Sequence, residues 1–318
     1  MQGRATGITM TSFHWILLLS YTAAWYHAAD GFSPLATQTL APAPWRPDVA
    51  AAAGQLAAEA TVVNALGATD YSSDGPRLPP TPEAQIVFPG GGIFFYWQAG
   101  AITHLRESER GYDLSRVPMS GASAGALTAT LASTGVDFRK ATDLALDLAA
   151  EAGVWDRPLG LQGVWGGLIE RWLDELLPPD AHEVANEGGL NLLITPVPSF
   201  GKTRVDKFQT RGCLIRANMA SIHIPWFLDG KLTTTYGGAE HIDGSFLSEA
   251  SDYVIPSPRA RSVVTLDWTE DPALSDTEFF DFVKALSKEG IWDLLEQGRK
   301  RARVMEERGD FESLPRLN

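Results

Sequence analysis

Two glycine clusters, each placed directly behind a short apolar run, constrain this chain more than any other feature. The first run is Gln85-Ile86-Val87-Phe88-Pro89, which reads as a buried strand and leads straight into Gly90-Gly91-Gly92. The second is Val117-Pro118-Met119-Ser120, which leads into Gly121-Ala122-Ser123-Ala124-Gly125. Behind each cluster the sequence reads as helix, from Phe95 to Arg110 and from Ala126 to Ser133. Strand, glycine turn, helix leaves bare backbone N–H groups at a helix N-terminus, where they can hold an anion. A dinucleotide fingerprint needs glycine at its first, third and sixth places, and the sixth place here is Phe95. A phosphate-binding P-loop needs Gly-Lys-Ser/Thr after four spacers, and no lysine is present. The same loop suits an oxyanion as well as a phosphate.

Gly-x-Ser-x-Gly at a strand-to-helix turn is the pattern of a nucleophile elbow. The turn is tight and the serine backbone strained, so Gly121, Ala122, Ala124 and Gly125 must be small. The Ser123 hydroxyl is then presented at a helix N-terminus, whose dipole favours developing negative charge. Such a serine needs a base. The order serine, acid, histidine leaves only His182, His223 and His241, with Asp206 or Asp229 as an acid ahead of His241. Asp243, in Glu240-His241-Ile242-Asp243-Gly244-Ser245-Phe246, is the better candidate. An Asp-Gly at the end of a short apolar strand puts a carboxylate on a sharp turn, and burial beside a serine raises its basicity. The other reading of Asp243-Gly244 is an ordinary turn.

Taken together, the glycine loop, the Gly-x-Ser-x-Gly about thirty residues on and the Asp-Gly about 120 residues beyond that resemble the patatin-like phospholipase family, nearer to its adiponutrin-type branch than to plant patatin. Gly189 to Thr195 resembles the family's strand after a helical insert, and the path through Val205, Leu214 to Ser221 and Ile224-Pro225 resembles its approach to the Asp-Gly. The resemblance covers Gln85 to Pro256 and extends towards Asp267. It implies a three-layer α/β/α fold with a central, mainly parallel sheet. It implies hydrolysis of lipid acyl esters by a Ser–Asp dyad, with Ser123 as nucleophile and Asp243 as base. Gly90, Gly91 and Gly92 would form the oxyanion loop, with Gly91 and Gly92 as the donors and the Ala124 N–H as a further one. Gly244 completes the Asp-Gly motif. No metal or cofactor is implied. The substrate would be met at a membrane or lipid-droplet surface, and an acyltransferase or a non-catalytic lipid-binding scaffold would keep the same fold. Plant patatins carry an arginine two places after the third glycine and then a glycine. Here those places are Phe94 and Phe95, so the loop must be supported differently.

Aromatic-rich stretches at Gly92–Trp97 and Ile224–Leu228, and a helix over Pro158–Leu177 that could act as a lid, read first as core packing and alternatively as an acyl entrance. His241 stands two residues before Asp243 on one strand face and could tune it. His182-Glu183-Val184-Ala185-Asn186 lacks the second histidine of a zinc-protease helix.

Charge narrows the partners. With 39 acidic against 26 basic side chains, the net charge of -13 argues against nucleic acid. Nothing in the pattern specifies a protein partner. The single cysteine, Cys213, permits no internal disulfide and reads as a small buried side chain. Residues 1–30 read as a signal-peptide-like leader, with an apolar run at Trp15–Trp25, directing the chain to the secretory pathway or a plastid. Residues 31–84 read as a linker with a helix-forming stretch, 85–267 as the folded domain, and 268–318 as a C-terminal amphipathic helical extension, either one long helix or a helix pair broken near Gly290.

Overall fold

The computed structural model describes residues 84–256, 262–277 and 281–317. The leader expected at 1–30 and the linker expected at 31–84 lie outside the described residues, apart from Ala84. The chain is α/β, with a central, mainly parallel sheet. Strand β1 (Ala84–Phe88) is buried along its whole length, as a strand covered on both faces must be. It pairs in parallel with β2 (Met119–Gly121) on one side and β7 (Ser262–Thr265) on the other. Beyond β2 lies β3 (Asn191–Val197), also parallel. On the β3 side the sheet turns antiparallel: β4 (Thr203–Val205) and β6 (Ala239–Ile242) pair with β3, and β5 (Thr234–Tyr236) pairs with β6. The strand order is β5-β6-β3-β2-β1-β7, with β4 on β3. Buried Gln85 ties β1 to the chain ahead of β7, exchanging hydrogen bonds with both the N–H and the C=O of Ile255.

Helix α1 (Phe95–Glu107) crosses from β1 to β2, and α2 (Ala124–Ser133) leaves β2. Nearly every residue of both is buried, which the small and apolar composition of α2 allows on all sides. Arg106 of α1 caps the far end of α2, donating to the carbonyls of Leu131, Ala132 and Val136. Helices α3 (Phe138–Glu151), α4 (Trp165–Leu176) and α5 (Ala181–Gly188) form the insert before β3. Helix α6 (Arg211–Ser221) starts at a Thr210 cap and runs to the edge of the site. The short α7 (Ala250–Tyr253) follows the Asp-Gly turn.

The last helix, α8 (Lys288–Arg308), packs on α1. Two glycines set the approach. A Cβ on Gly100 would stand 1.9 Å from the Leu295 carbonyl oxygen, and one on Gly298 would stand 1.8 Å from that of Trp97. His104 of α1 and Ser108, just past its end, both bond Glu306 of α8.

Some boundaries differ from the sequence reading. Gly290 does not break the C-terminal helix; it lies in the first turn of α8, and its N–H donates to the Ser287 hydroxyl that caps the helix. The helix expected from Pro158 begins only at Trp165, because Gly160 and Gly163 take left-handed backbone at φ 51° and 78°. Helix α1 ends at Glu107 rather than Arg110, since Ser108 turns extended and its hydroxyl takes the Arg110 N–H. No helix among the described residues is long and apolar enough to cross a membrane.

Candidate active site

The register of β1 and β2 puts Phe88 opposite Gly121, so the glycine loop and the elbow leave adjacent parallel strands at the same end. Open α/β sheets place their sites at this edge, outside the carboxyl ends of the strands. The elbow's glycines are dictated by contact. A Cβ on Gly121 would lie 2.2 Å from the Gly125 carbonyl oxygen, and one on Gly125 would lie 2.0 Å from that of Phe88. Between them Ser123 takes φ 54° and ψ -131°, a backbone that L residues adopt only when the surroundings hold them there. One restraint is explicit: the Ser123 N–H donates to Ser221 Oγ at 3.0 Å, and Ser221 Oγ donates to the Leu193 carbonyl at 2.7 Å.

Asp243 follows β6 and is fully buried. Its N–H donates to the His223 carbonyl, and the next N–H, of Gly244, donates to the Ser221 carbonyl. Gly244 can only be glycine, since a Cβ there would lie 1.9 Å from the Leu193 carbonyl oxygen. Oδ1 of Asp243 accepts from the Ser245 N–H at 2.8 Å and the Ser245 hydroxyl at 2.6 Å. Oδ2 has no hydrogen-bond partner among the described residues. Burial pushes the Asp243 carboxyl above the usual carboxylate range; Ser245, the Ser123 hydroxyl and Lys202 pull the other way. The Ser123 hydroxyl thus stands near enough to influence the carboxylate, while Oδ2 itself carries no hydrogen bond among the described residues.

The glycine loop lies against both. A Cβ on Gly90 would press on Ser245 Cβ at 2.8 Å and Ser123 Cβ at 3.1 Å. Gly92 takes φ 54°, in the left-handed region. The Gly90 N–H interacts with the Tyr253 hydroxyl. Gly91 and Gly92 have no acceptor for their N–H groups among the described residues. Aromatic packing supports the loop in place of the arginine that plant patatins carry. Phe94 stacks on Trp268, ring centroids 3.8 Å apart and planes within 10°. The indole Nε1 donates to the Gly90 carbonyl at 3.3 Å, and a Cβ on Gly91 would stand 2.3 Å from that nitrogen. Gln98, buried in α1, donates to the Pro89 carbonyl at 2.8 Å and receives the Thr128 hydroxyl from α2.

Ser123 lies in the wall of an apolar cavity of about 980 Å³, counted to its open mouth. Among the described residues no charged side chain lines it. The stretches singled out in the sequence meet here: Ile93 and Phe95 behind the glycine loop, Trp165 and Trp172 on α4, and Ile224 and Leu228 after α6. Not every aromatic faces it. Trp97 points to the other side of α1 and donates to Asp271 Oδ2 at 2.7 Å. Leu286, just ahead of α8, closes one side, and its carbonyl accepts from Trp155 Nε1 at 2.9 Å.

The histidines stand elsewhere. His241 hydrogen-bonds the Ala239 carbonyl through Nδ1 and sets its ring edge-on to Tyr236, not against Asp243. His223 faces the Lys231 carbonyl, and His182 stands beside Glu183 on α5. Asp229 is turned to Lys231, so these histidines and Asp229 form no triad with Ser123. Cys213 is only half-buried, its sulfur 3.5 Å from the Tyr236 hydroxyl, rather than the buried apolar side chain expected. Among the described residues no group of histidine, cysteine and carboxylate side chains is placed to hold a metal ion. Ser221, Ser245, Gln98 and Trp268 are site residues that the motifs did not reveal. Only Ser245, adjoining the Asp-Gly, had a local signal.

A family model described as "Patatin-like phospholipase" matches residues 86–250. The mouse (Mus musculus) protein "Omega-hydroxyceramide transacylase" is 31% identical over 172 residues, 54% of this chain and 28% of that protein. Its human (Homo sapiens) counterpart is 29% identical over 169 residues, 53% of this chain and 31% of that protein. The human "Patatin-like phospholipase domain-containing protein 2" is 31% identical over 160 residues, 50% of this chain and 31% of that protein. Each match takes in less than a third of the relative's own length.

Proposed function

The chain belongs to the patatin-like phospholipase family, and from that premise we propose that it cleaves acyl esters of lipids through an acyl-enzyme on Ser123, with Asp243 as its base. The observation that carries the reading is one arrangement: a strained Ser123 in the wall of an uncharged apolar cavity, beside a buried Asp243 with one oxygen unpartnered. An acyl chain fills the cavity and brings its ester carbonyl to Ser123. Asp243 Oδ2 takes the hydroxyl proton as Oγ attacks the carbonyl carbon, and burial makes this carboxylate a better base than a solvated one. The carbonyl oxygen becomes an oxyanion held by the N–H groups of Gly91 and Gly92, with the α2 N-terminus adding its dipole. Collapse returns the proton from Asp243 to the departing alcohol and leaves the acyl-serine. Water activated by the same carboxylate releases the fatty acid.

Exposed Trp155, in the wall of the cavity, and exposed Leu159 four residues on support contact with a membrane or lipid-droplet surface. The leader read from the sequence would carry the protein to the secretory pathway or a plastid.

A second reading has its own support: the mouse relative's name is that of a transacylase. In that case an alcohol in place of water accepts the acyl group. One experiment addresses both. The full chain and its Ser123→Ala variant are given phospholipid, galactolipid and triacylglycerol, with and without a long-chain alcohol. Fatty-acid release by the wild type, lower by about 10³-fold or more in Ser123→Ala, is the expected result. Acyl transfer that outruns release when the alcohol is present favours the second reading. Equal rates in the two proteins would remove Ser123 from the mechanism.

A further inference from the structure

Lys202 stands just ahead of β4, half-buried, and it is the charged group most closely built into the frame of Asp243. Its ammonium donates to the Phe246 carbonyl and, at 3.0 Å, to the Thr195 hydroxyl. Both partners hold the same atom. The Phe246 N–H closes the Asp243–Phe246 turn by donating to the Asp243 carbonyl at 3.1 Å, and the Thr195 hydroxyl donates to that carbonyl at 2.9 Å. Thr195 is fully buried in β3, so the ammonium bridges the sheet and the turn that carries the carboxylate. A charged donor makes the stronger bond to a carbonyl or hydroxyl, and one donor shared between two acceptors fixes their separation.

Resting on the dyad reading above, we infer that Lys202 is the positioning residue for Asp243: its ammonium clamps the Asp243–Phe246 turn to β3, and loss of its charge sets the alkaline limit of Ser123 reactivity. The ionic surroundings of the clamp are few. Asp243 faces it from the turn and Asp252 from α7; β3 contributes only uncharged Thr195; and on β4 Arg204 is engaged by the Asp252 carbonyl. Burial lowers the Lys202 ammonium to about 8, against the pull of Asp243 and Asp252. The clamp is therefore charged at neutrality and discharges as the pH rises through that value. The neutral amine keeps its N–H groups but loses the charge that strengthens both bonds. Asp243 at the same time loses a positive neighbour that favours its ionised form.

The test reads the serine directly. The rate of Ser123 labelling by a fluorophosphonate is measured from about pH 6 to about pH 10 on the full chain, with circular dichroism at each pH and Ser123→Ala as the blank. The wild type should keep its neutral rate up to about 8 and fall above it. Lys202→Arg, whose guanidinium stays charged throughout, should keep most of the neutral rate and lose the alkaline fall. Lys202→Met should label roughly tenfold or more slowly at neutral pH, with no alkaline fall, because the turn is no longer held. In lipid turnover the loss should appear in kcat, with KM little changed. A wild-type profile flat to about pH 10, or an alkaline fall that persists unchanged in Lys202→Arg, overturns the assignment. If Lys202→Met does not fold, the wild-type and arginine profiles still decide. A wild type that takes no label at Ser123 removes the dyad and this role with it, whereas labelling without the predicted pH dependence removes only Lys202.

Discussion

Asp243 concentrates its hydrogen bonding on one oxygen: both donors to Oδ1 come from Ser245, and Oδ2 has none among the described residues, which leaves it open for the serine proton in the proposed mechanism. This division makes Ser245 a determinant of basicity without placing it at the reacting atoms. Its hydroxyl favours the ionised carboxylate, which burial disfavours. Ser245→Ala should therefore raise the Asp243 pKa further. A base that ionises later shifts the acid limb of the kcat profile to higher pH, with the plateau rate within about threefold of wild type. A pH–rate series on the two proteins checks this, and an acid limb that stays in place would show that Ser245 serves only the turn. At this scale the sequence was legible wherever a residue type follows from local backbone demands. Gly121, Gly125 and Gly244 each sit where a Cβ would strike a carbonyl, and the motifs that name them are local. Ser221 and Trp268 act on Ser123 and Gly90 from 98 and 178 residues away, and nothing in their own surroundings marks them.

Among the elements, α1 has the most to reconcile. Its first turn carries the glycine loop's aromatic neighbours, Gln98 fixes Pro89, and its opposite face receives α8. The contact with α8 depends on Gly100 and Gly298 lying against each other's backbone. Gly298→Ala would drive a methyl into the Trp97 carbonyl, and the helices must separate. A loss of about 1–3 kcal/mol in urea unfolding is expected, as for other overpacked interiors. Because Gly298 gains helix propensity on becoming alanine, unchanged or higher stability would mean that the helices part at no cost. Periodicity located α8 as an amphipathic helix but left open a break near Gly290, and it passed over Gly298. A glycine inside a helical pattern can mark an end or a close approach, and the pattern does not distinguish them. The insert helix was misread at its start for the related reason that Gly160 and Gly163 take left-handed backbone only in the folded chain.

Across the whole molecule, residues beyond 267 take part in the site. Trp268 braces the glycine loop, Leu286 and Ile291 line the cavity, and α8 covers α1. A chain ending after Asp267 should lose cooperative unfolding, seen as a broad thermal transition by circular dichroism, and should bind a hydrophobic dye. A sharp transition near that of the full chain would show that the sheet and its first helices stand alone. The resemblance anticipated the α/β fold and the mainly parallel sheet from three short motifs. It did not anticipate how the C-terminal helix joins them, because that contact lies outside the stretch the resemblance covers. One further consequence concerns the end of α6. Ser221 holds the elbow through its hydroxyl and the Asp-Gly turn through its carbonyl, and His223 holds the Asp243 N–H. The proposed nucleophile and base are thus mounted on a common bracket. Thermal sway of that bracket shifts both together as common-mode motion, so their spacing is insulated from movements of the surrounding helices that would detune a dyad hung from two independent supports.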